Sequence, residues 1–462
     1  MKFKLTSLVL ALLLAACTNQ ETTQEISLDE GIPPINKSLA SKPPMGWNSW
    51  DCLGFGANES EVRAAADYMA KNLNHLGYEY IVIDMMWYGD AIASDYEAFA
   101  HETMPVKPYY TVDEFGRLFP DPVKFPSSVE GKGFKPLADY IHGLGLKFGV
   151  HLMRGIPWQA HEENMTIKGT DIGAASIAQP DNGCVWYDGI YGVDMTKPGS
   201  QEYYNSVYEL LSEWGVDFVK CDDVTNQSEL EAISRALRSC GRDMVLSLVP
   251  HNFPMEVLKA NCHMARISAD FWDVWQMVKV GFPDAARVVK YAEPGFWPDL
   301  DMLPVGKLGK KITYKGPDER ISRFNEEELH TLMTLWYIAR QPLMIGGYLP
   351  ETDELTLEIL SNEEALAVNR ECINPRQVKF KNAIIIWTAD IPDSEDKYLA
   401  FFNQWETKTP VEIKVEMVEI GLDPDTRYKV RDLWARKDIG TCKGEFSAPI
   451  KMHGAGLFKI SK

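Results

Sequence analysis

The sequence predicts an α/β protein: a closed (β/α)₈ TIM barrel over residues 42–374, then a small antiparallel β-sandwich over 375–462. Two observations predict it. From about residue 42, short apolar runs alternate with amphipathic stretches, and eight such runs are complete by residue 346. Strands alternating with helices read as a parallel sheet, and at this length closure into a barrel is the natural form. Near residue 375 the pattern changes to short strands separated by Asp, Pro, Gly and Thr turns. The chain has 462 residues, enough for one large domain and a smaller one, because single cores stop growing beyond roughly 250–300 residues. An open doubly wound sheet is the alternative, and no glycine-rich phosphate loop supports it.

Lys2 and Lys4 form a basic start, and Leu5 to Leu14 is apolar but too short to span a bilayer. Leu14-Ala15-Ala16-Cys17 follows, which resembles a bacterial lipobox. Residues 1–17 are therefore expected to be a lipoprotein signal, with Cys17 carrying the lipid. An ordinary secretory signal is the alternative. Residues 18–41 are polar with Pro33-Pro34 and read as a tether. Thr18 rather than Asp follows the cysteine, so the expected location is the outer membrane of an exported, lipid-anchored protein.

The eight strand-like runs are 45–50, 80–87, 147–153, 217–222, 244–250, 265–270, 296–303 and 342–346. Helical patterns fit 61–76, 135–144, 229–240 and 326–340. Tyr203, Val207, Leu210, Leu211 and Trp214 share a further helix face that ends at Gly215. Beyond 375, strands are expected at 378–380, 383–387, 398–402, 411–415 and 428–433. No internal repeat is present.

Net charge is −19, and phosphate backbones repel such a surface, so nucleic acid is excluded as a partner. Thirteen Trp exceed ordinary core needs and suit either apolar platforms or a large barrel core. Seven cysteines follow Cys17 without any CxxC pair, and His142, His151, His161 and His251 are scattered, so no metal spacing is seen.

Polar residues at the C-terminal ends of barrel strands face the site. Here those ends carry Asp84, His151, Lys220, Asp222, Asp223, Arg266, Asp270, Asp299 and Asp301. Two carboxylates flanking a bond are what glycosidic cleavage needs. Lys220 lies two residues before Asp222 and shares its strand face, so its ammonium keeps that carboxylate ionised. Asp223 points to the opposite face and is assigned a helix-cap or loop role. Asp222 is the candidate nucleophile and Asp270 the candidate general acid/base.

Lys42-Pro-Pro-Met-Gly-Trp-Asn-Ser-Trp50 resembles the opening of glycoside hydrolase family 27, the α-galactosidase or melibiase family. Asp217-Phe-Val-Lys-Cys-Asp222 is similar to its nucleophile strand, and Arg266 to Asp270 to its acid/base motif. Pro298-Asp-Leu-Asp-Met-Leu303, Gln341-Pro-Leu-Met-Ile-Gly-Gly347 and 362–369 also match, in order. The resemblance implies a retaining exo-α-galactosidase acting on terminal galactosyl residues of oligo- or polysaccharides. It implies a covalent intermediate on Asp222, with Asp270 as acid and then base. Trp47 would floor the sugar, and Asp84, Lys220, Arg266 and Asp301 would bind its hydroxyls. No metal or organic cofactor is implied, and the oligomeric state is left open.

Three departures from the family pattern bear on the sugar. Met85 replaces the second of two adjacent Asp residues after strand two. His151 replaces a Tyr on strand three. Ser247-Leu248-Val249-Pro250 replaces the segment that reads the 2-substituent. Met85 would tolerate a β-L-arabinopyranoside, which lacks the CH₂OH, and an N-acetylgalactosaminide would need room at Ser247. A barrel that binds sugar without cleaving it is the other alternative.

Overall fold

The computed structural model describes residues 31–89, 109–187, 189–311 and 319–462. The signal segment, Cys17 and the tether as far as residue 30 lie outside the described residues. Eight parallel strands form the barrel: β1 (Met45–Asn48), β2 (Tyr80–Ile83), β3 (Lys147–Met153), β4 (Phe218–Val224), β5 (Val245–Pro250), β6 (Met264–Arg266), β7 (Trp297–Asp299) and β8 (Leu343–Ile345). Neighbours in the sheet are neighbours in sequence from β1 to β7, and β8 returns to pair with β1. The remaining seam is stitched by a parallel bridge between Leu303 and Ile345. There the Leu303 N–H donates to Met344 O at 2.8 Å and Gly346 N–H donates to Leu303 O at 2.9 Å. Strands such as β1 and β2 are buried at every residue, as parallel strands covered by helices must be.

The covering helices are α1 (Glu59–Asn72), α2 (Lys135–Gly143), α3 (Ser200–Trp214), α4 (Gln227–Ser239), α5 (Met255–Asn261), α6 (Trp275–Val288), α7 (Glu326–Ile338), α8 (Glu354–Leu360) and α9 (Glu363–Glu371). The face read from Tyr203 to Trp214 is the buried face of α3, which stops at Gly215 in a left-handed conformation (φ 82°). Periodicity did not reveal α5, α6 or α8. Two of them have only seven residues, and α6 carries Pro283 on its exposed side.

All eight expected barrel strands exist, but most stop short of the apolar run that announced them. The residues left over, such as 84–87, 267–270 and 300–303, form the rim. Between β3 and α3 the chain makes an excursion. It contains a three-stranded sheet of Ile156–Pro157, Ile190–Val193 and Ala178–Gln179, with Ile190–Val193 in the middle.

Beyond α9 come eight antiparallel strands: β9 (Ile373–Lys381), β10 (Ile384–Asp390), β11 (Lys397–Asn403), β12 (Val411–Glu416), β13 (Arg427–Asp432), β14 (Lys437–Lys443), β15 (Glu445–Ile450) and β16 (Ala455–Ser461). Their order is 9-10-11-16-13-14-15-12. Sequence patterning found five of them. It missed β14, which is exposed almost throughout, and β15, which contains Pro449. It also missed the C-terminal β16. One face of β10 and β11, with Ile386, Leu399 and Phe401, lies in the sandwich's own core. The other, with Ile385, Trp387, Ala400 and Phe402, joins the barrel core. Residues 33–462 therefore form one unit.

Candidate active site

The C-terminal ends of the barrel strands open into a cavity of about 360 Å³. Its polar wall includes Asp51, Asp84, Lys220, Asp222, Arg266, Asp270 and Asp301, and its apolar wall includes Trp50, Met85, Trp186, Trp272 and Met302. Two charged clusters organise it.

The first joins β2 to β4. Lys220 Nζ donates to Asp84 Oδ2 at 2.8 Å and lies 4.0 Å from Asp222 Oδ2. Asn48 Nδ2 donates to the same Asp84 oxygen at 2.8 Å, and the Asp84 N–H donates to Ser49 Oγ at 2.9 Å. Burial alone would raise Asp84, but the charges of Lys220 and His151 and the hydrogen bonds from Lys220 and the Met85 N–H together outweigh it and hold the carboxyl far below the ordinary carboxylate range. Asp222 behaves the same way. Burial pushes it up, while the hydrogen bond from His151 and the charge of Lys220 bring it below its usual value. His151 Nε2 lies 3.2 Å from Asp222 Oδ2, and an ionised carboxylate only accepts, so the shared proton sits on Nε2.

The second cluster joins the ends of β6 and β7. Arg266 Nη2 donates to Asp270 Oδ1 and Arg266 Nη1 to Asp301 Oδ1, both at 2.7 Å. Asp301 Oδ2 accepts the Phe271 N–H at 2.8 Å. Burial pushes Asp301 up to about 6, with Arg266 opposing and Asp299 and Asp270 reinforcing. The Asp270 side chain is 56% exposed, against 16% for Asp222. One carboxylate is thus held ionised at depth, and the other stands open at the rim. Met86, Asp223 and Asp301 are all left-handed (φ 67°, 55° and 96°), a strained backbone for such residues that clusters at the rim.

Six of the nine residues expected at the site line this cavity: Asp84, Lys220, Asp222, Arg266, Asp270 and Asp301. Three stand elsewhere. Trp47 is wholly buried, with its indole N–H on Gly347 O at 2.8 Å; of the two, it is Trp50, just beyond the end of β1, that lines the cavity. His151 is wholly buried behind Asp222. Ser247 is buried within β5, and Val249 and Pro250 reach the cavity instead.

Asp223 is not a helix cap. Asn226 caps α4, accepting the Glu229 N–H at 2.8 Å. Asp223 does point away from the Lys220–Asp222 face, but into a buried network, where its carbonyl accepts Arg154 Nε at 2.8 Å.

Sequence reasoning missed Asp51, whose carboxyl is buried at the cavity and raised well above its usual value, first by burial and then by Asp301. Its Oδ2 has no hydrogen-bond partner among the described residues. Gly346 makes room for it, since a methyl there would lie 2.0 Å from that oxygen. A carboxylate directly after the Trp-Asn-Ser-Trp run was a legible signal. Trp186 had none, because it sits in the aperiodic excursion after β3. Among the described residues no group of His, Cys, Asp or Glu is placed to hold a metal ion, and the seven cysteines are unpaired.

Paired carboxylates with segregated environments at the C-terminal rim of a (β/α)₈ barrel define the chain as a glycoside hydrolase. Residues 193–371 match the family model described as alpha galactosidase A, and residues 381–460 match the alpha galactosidase C-terminal beta sandwich domain. The β-L-arabinopyranosidase of glycoside hydrolase family 27 from Geobacillus stearothermophilus is 40% identical. The alignment covers 92% of this chain and 98% of that one, with a TM-score of 0.86. The α-galactosidase of Cyamopsis tetragonoloba is 27% identical over 433 residues, covering 92% of this chain and 87% of its own length. The α-galactosidase A of Cellvibrio japonicus is 28% identical over 365 residues, covering 74% and 71%. The chain belongs to glycoside hydrolase family 27 and is a glycosidase.

Proposed function

We propose that the protein is a retaining exo-glycosidase that removes terminal α-D-galactosyl residues from glycans by double displacement. The observation that carries this reading is the pairing of Asp222, held ionised by Lys220 and His151, with the open Asp270 across one cavity. Asp222 attacks the anomeric carbon while Asp270 gives its proton to the leaving oxygen. Asp270, now a carboxylate, then takes a proton from the water that releases the sugar. Asp84, Lys220 and Asp301 present acceptors and donors to the ring hydroxyls.

Met85 favours a second reading. It stands in the cavity wall beside Asp84 and offers an apolar thioether where a second carboxylate would bind the CH₂OH. A β-L-arabinopyranoside has the galactose ring hydroxyls without that group, and the Geobacillus relative carries that activity in its name.

Wild type and Asp222→Ala, assayed on p-nitrophenyl α-D-galactoside and β-L-arabinopyranoside, test both readings. Wild type is expected to cleave at least one and the variant to lose at least ~10³-fold in kcat. Variant turnover at the wild-type rate would remove Asp222 from the mechanism. Preference for the arabinoside would decide for the second reading.

Export and lipidation at Cys17 belong to the same proposal, on the strength of the basic start, the apolar run and Leu-Ala-Ala-Cys. The anchor would tether the enzyme to the outer membrane. Cys17→Ser is expected to move it from the membrane fraction to the soluble fraction, and retention of the variant in membranes would sink the anchor.

A further inference from the structure

Trp186 stands out because it is a large ring left open. It is 41% exposed and forms part of the cavity wall. An indole offers a broad apolar face for stacking together with one polar N–H. Nor is the ring loosely placed. Its N–H donates to Asp223 Oδ1 at 3.2 Å, and Asp223 is itself buried. Behind it lies a chain of buried polar groups. Arg154 Nε donates to the Asp223 carbonyl at 2.8 Å, Arg154 Nη1 donates to Glu229 at 3.0 Å, and the Tyr204 hydroxyl donates to Glu229 at 2.5 Å. Asp223 itself has a left-handed backbone (φ 55°), a strained conformation held within this network. His251, 52% exposed, lies beside the same carboxylate, with Nε2 3.6 Å from Asp223 Oδ1.

The polar groups that suit a glycosyl ring come from the barrel strands, whereas Trp186 comes from the excursion. Asp270, which protonates the leaving oxygen, is the most open of the cavity carboxylates named above. The leaving group therefore departs toward solvent, and of the indole and phenyl rings that line the same cavity Trp186 is the exposed one.

We propose that Trp186 is the platform of an aglycone subsite, stacking on a pyranose ring of the leaving group and held in place by Asp223 and Arg154. The inference rests on the glycosidase reading above. The substrate class it names is a glycoside whose leaving group is itself a sugar.

Two substrates separate the platform from the rest of the site. A glycosyl fluoride has no aglycone ring, and a disaccharide such as melibiose has one. The pair is built on whichever sugar the wild type cleaves. Trp186→Ala is expected to lower kcat/KM on the disaccharide about tenfold, the scale of one ring-stacking contact, and to leave the fluoride within about twofold. Trp186→Phe should recover most of the loss, and Asp223→Asn should fall between. Equal losses on both substrates would mean that the ring only supports the fold, and no loss on the disaccharide would mean that nothing stacks there; either result overturns the platform. A wild type inactive on both α-galactosyl and β-L-arabinopyranosyl fluoride overturns the underlying reading, and the platform with it.

Discussion

Lys220 touches two carboxylates at once, and that sets its value to the site. It sits 2.8 Å from Asp84 and 4.0 Å from Asp222 and lowers both. Removing its charge while keeping its bulk, as in Lys220→Met, lets burial act on Asp222 unopposed by the ammonium, so the pKa of Asp222, the proposed nucleophile, rises. The acidic limb of kcat/KM is then expected to move to higher pH, and a limb that stays put would break the link between the two residues. Asp51 makes the opposite case. Its folded pKa is raised, so the native state resists its ionisation. Stability contributed by this group falls as pH rises above the unfolded value of about 3.9. Asp51→Asn removes that loss. The variant's Tm, relative to wild type, should be higher at about pH 7 than at about pH 4.

At the level of elements, the barrel positions chemistry by ending its strands early. β6 stops at Arg266 and β7 at Asp299, which frees 267–270 and 300–303 to turn inward. β4 instead continues to Val224, with a register shift against β5 between Cys221 and Val224. The helices are fixed by local chemistry. α7 begins in a capping box, with Asn325 Oδ1 accepting the Glu328 N–H at 3.1 Å and Glu328 Oε2 accepting the Asn325 N–H at 3.1 Å. Asn325→Ala is expected to cost about 1 kcal/mol. Denaturant unfolding should show this as a lower midpoint with an unchanged slope, while kcat/KM stays at the wild-type value.

Across the whole molecule, barrel and sandwich share one apolar core and several polar ties. Phe282 of α6 meets Phe402 of β11 at 4.8 Å, and Trp275 stacks on His453 at 4.1 Å. Trp434 Nε1 donates to Thr334 Oγ1 at 2.9 Å, and Arg431 donates to both Glu364 oxygens at 2.6 and 2.7 Å. His453 Nδ1 lies 2.7 Å from Glu328, so the cap of α7 is itself tied to the sandwich. The lobes should unfold together. Phe402→Ala, expected to cost about 3–5 kcal/mol, should lower the midpoint of activity loss and that of far-UV signal loss by the same amount. A sandwich that melts while the barrel stays active would refute the shared core.

The sequence by itself determined the eight barrel strands, the change of architecture near residue 375, and the gathering of Asp222, Asp270 and Lys220 at one rim. Each depends on near neighbours in the chain: apolar runs, turn residues, and the two-residue parity that places Lys220 and Asp222 on one side and Asp223 on the other. Only the tertiary structure decided that Trp50 rather than Trp47 faces the cavity, that His151 stands behind Asp222, that Asp51 is a buried acid, and that Asp223 grips Trp186. These depend on where a strand ends and what packs behind it. Trp47 and Trp50 read alike as apolar residues in one run, yet β1 stops at Asn48, and the chain turns between them. Asp223 meets Trp186 across 37 residues, through an excursion with no period to read. Contacts of that kind are set by packing among distant segments, which local pattern does not encode.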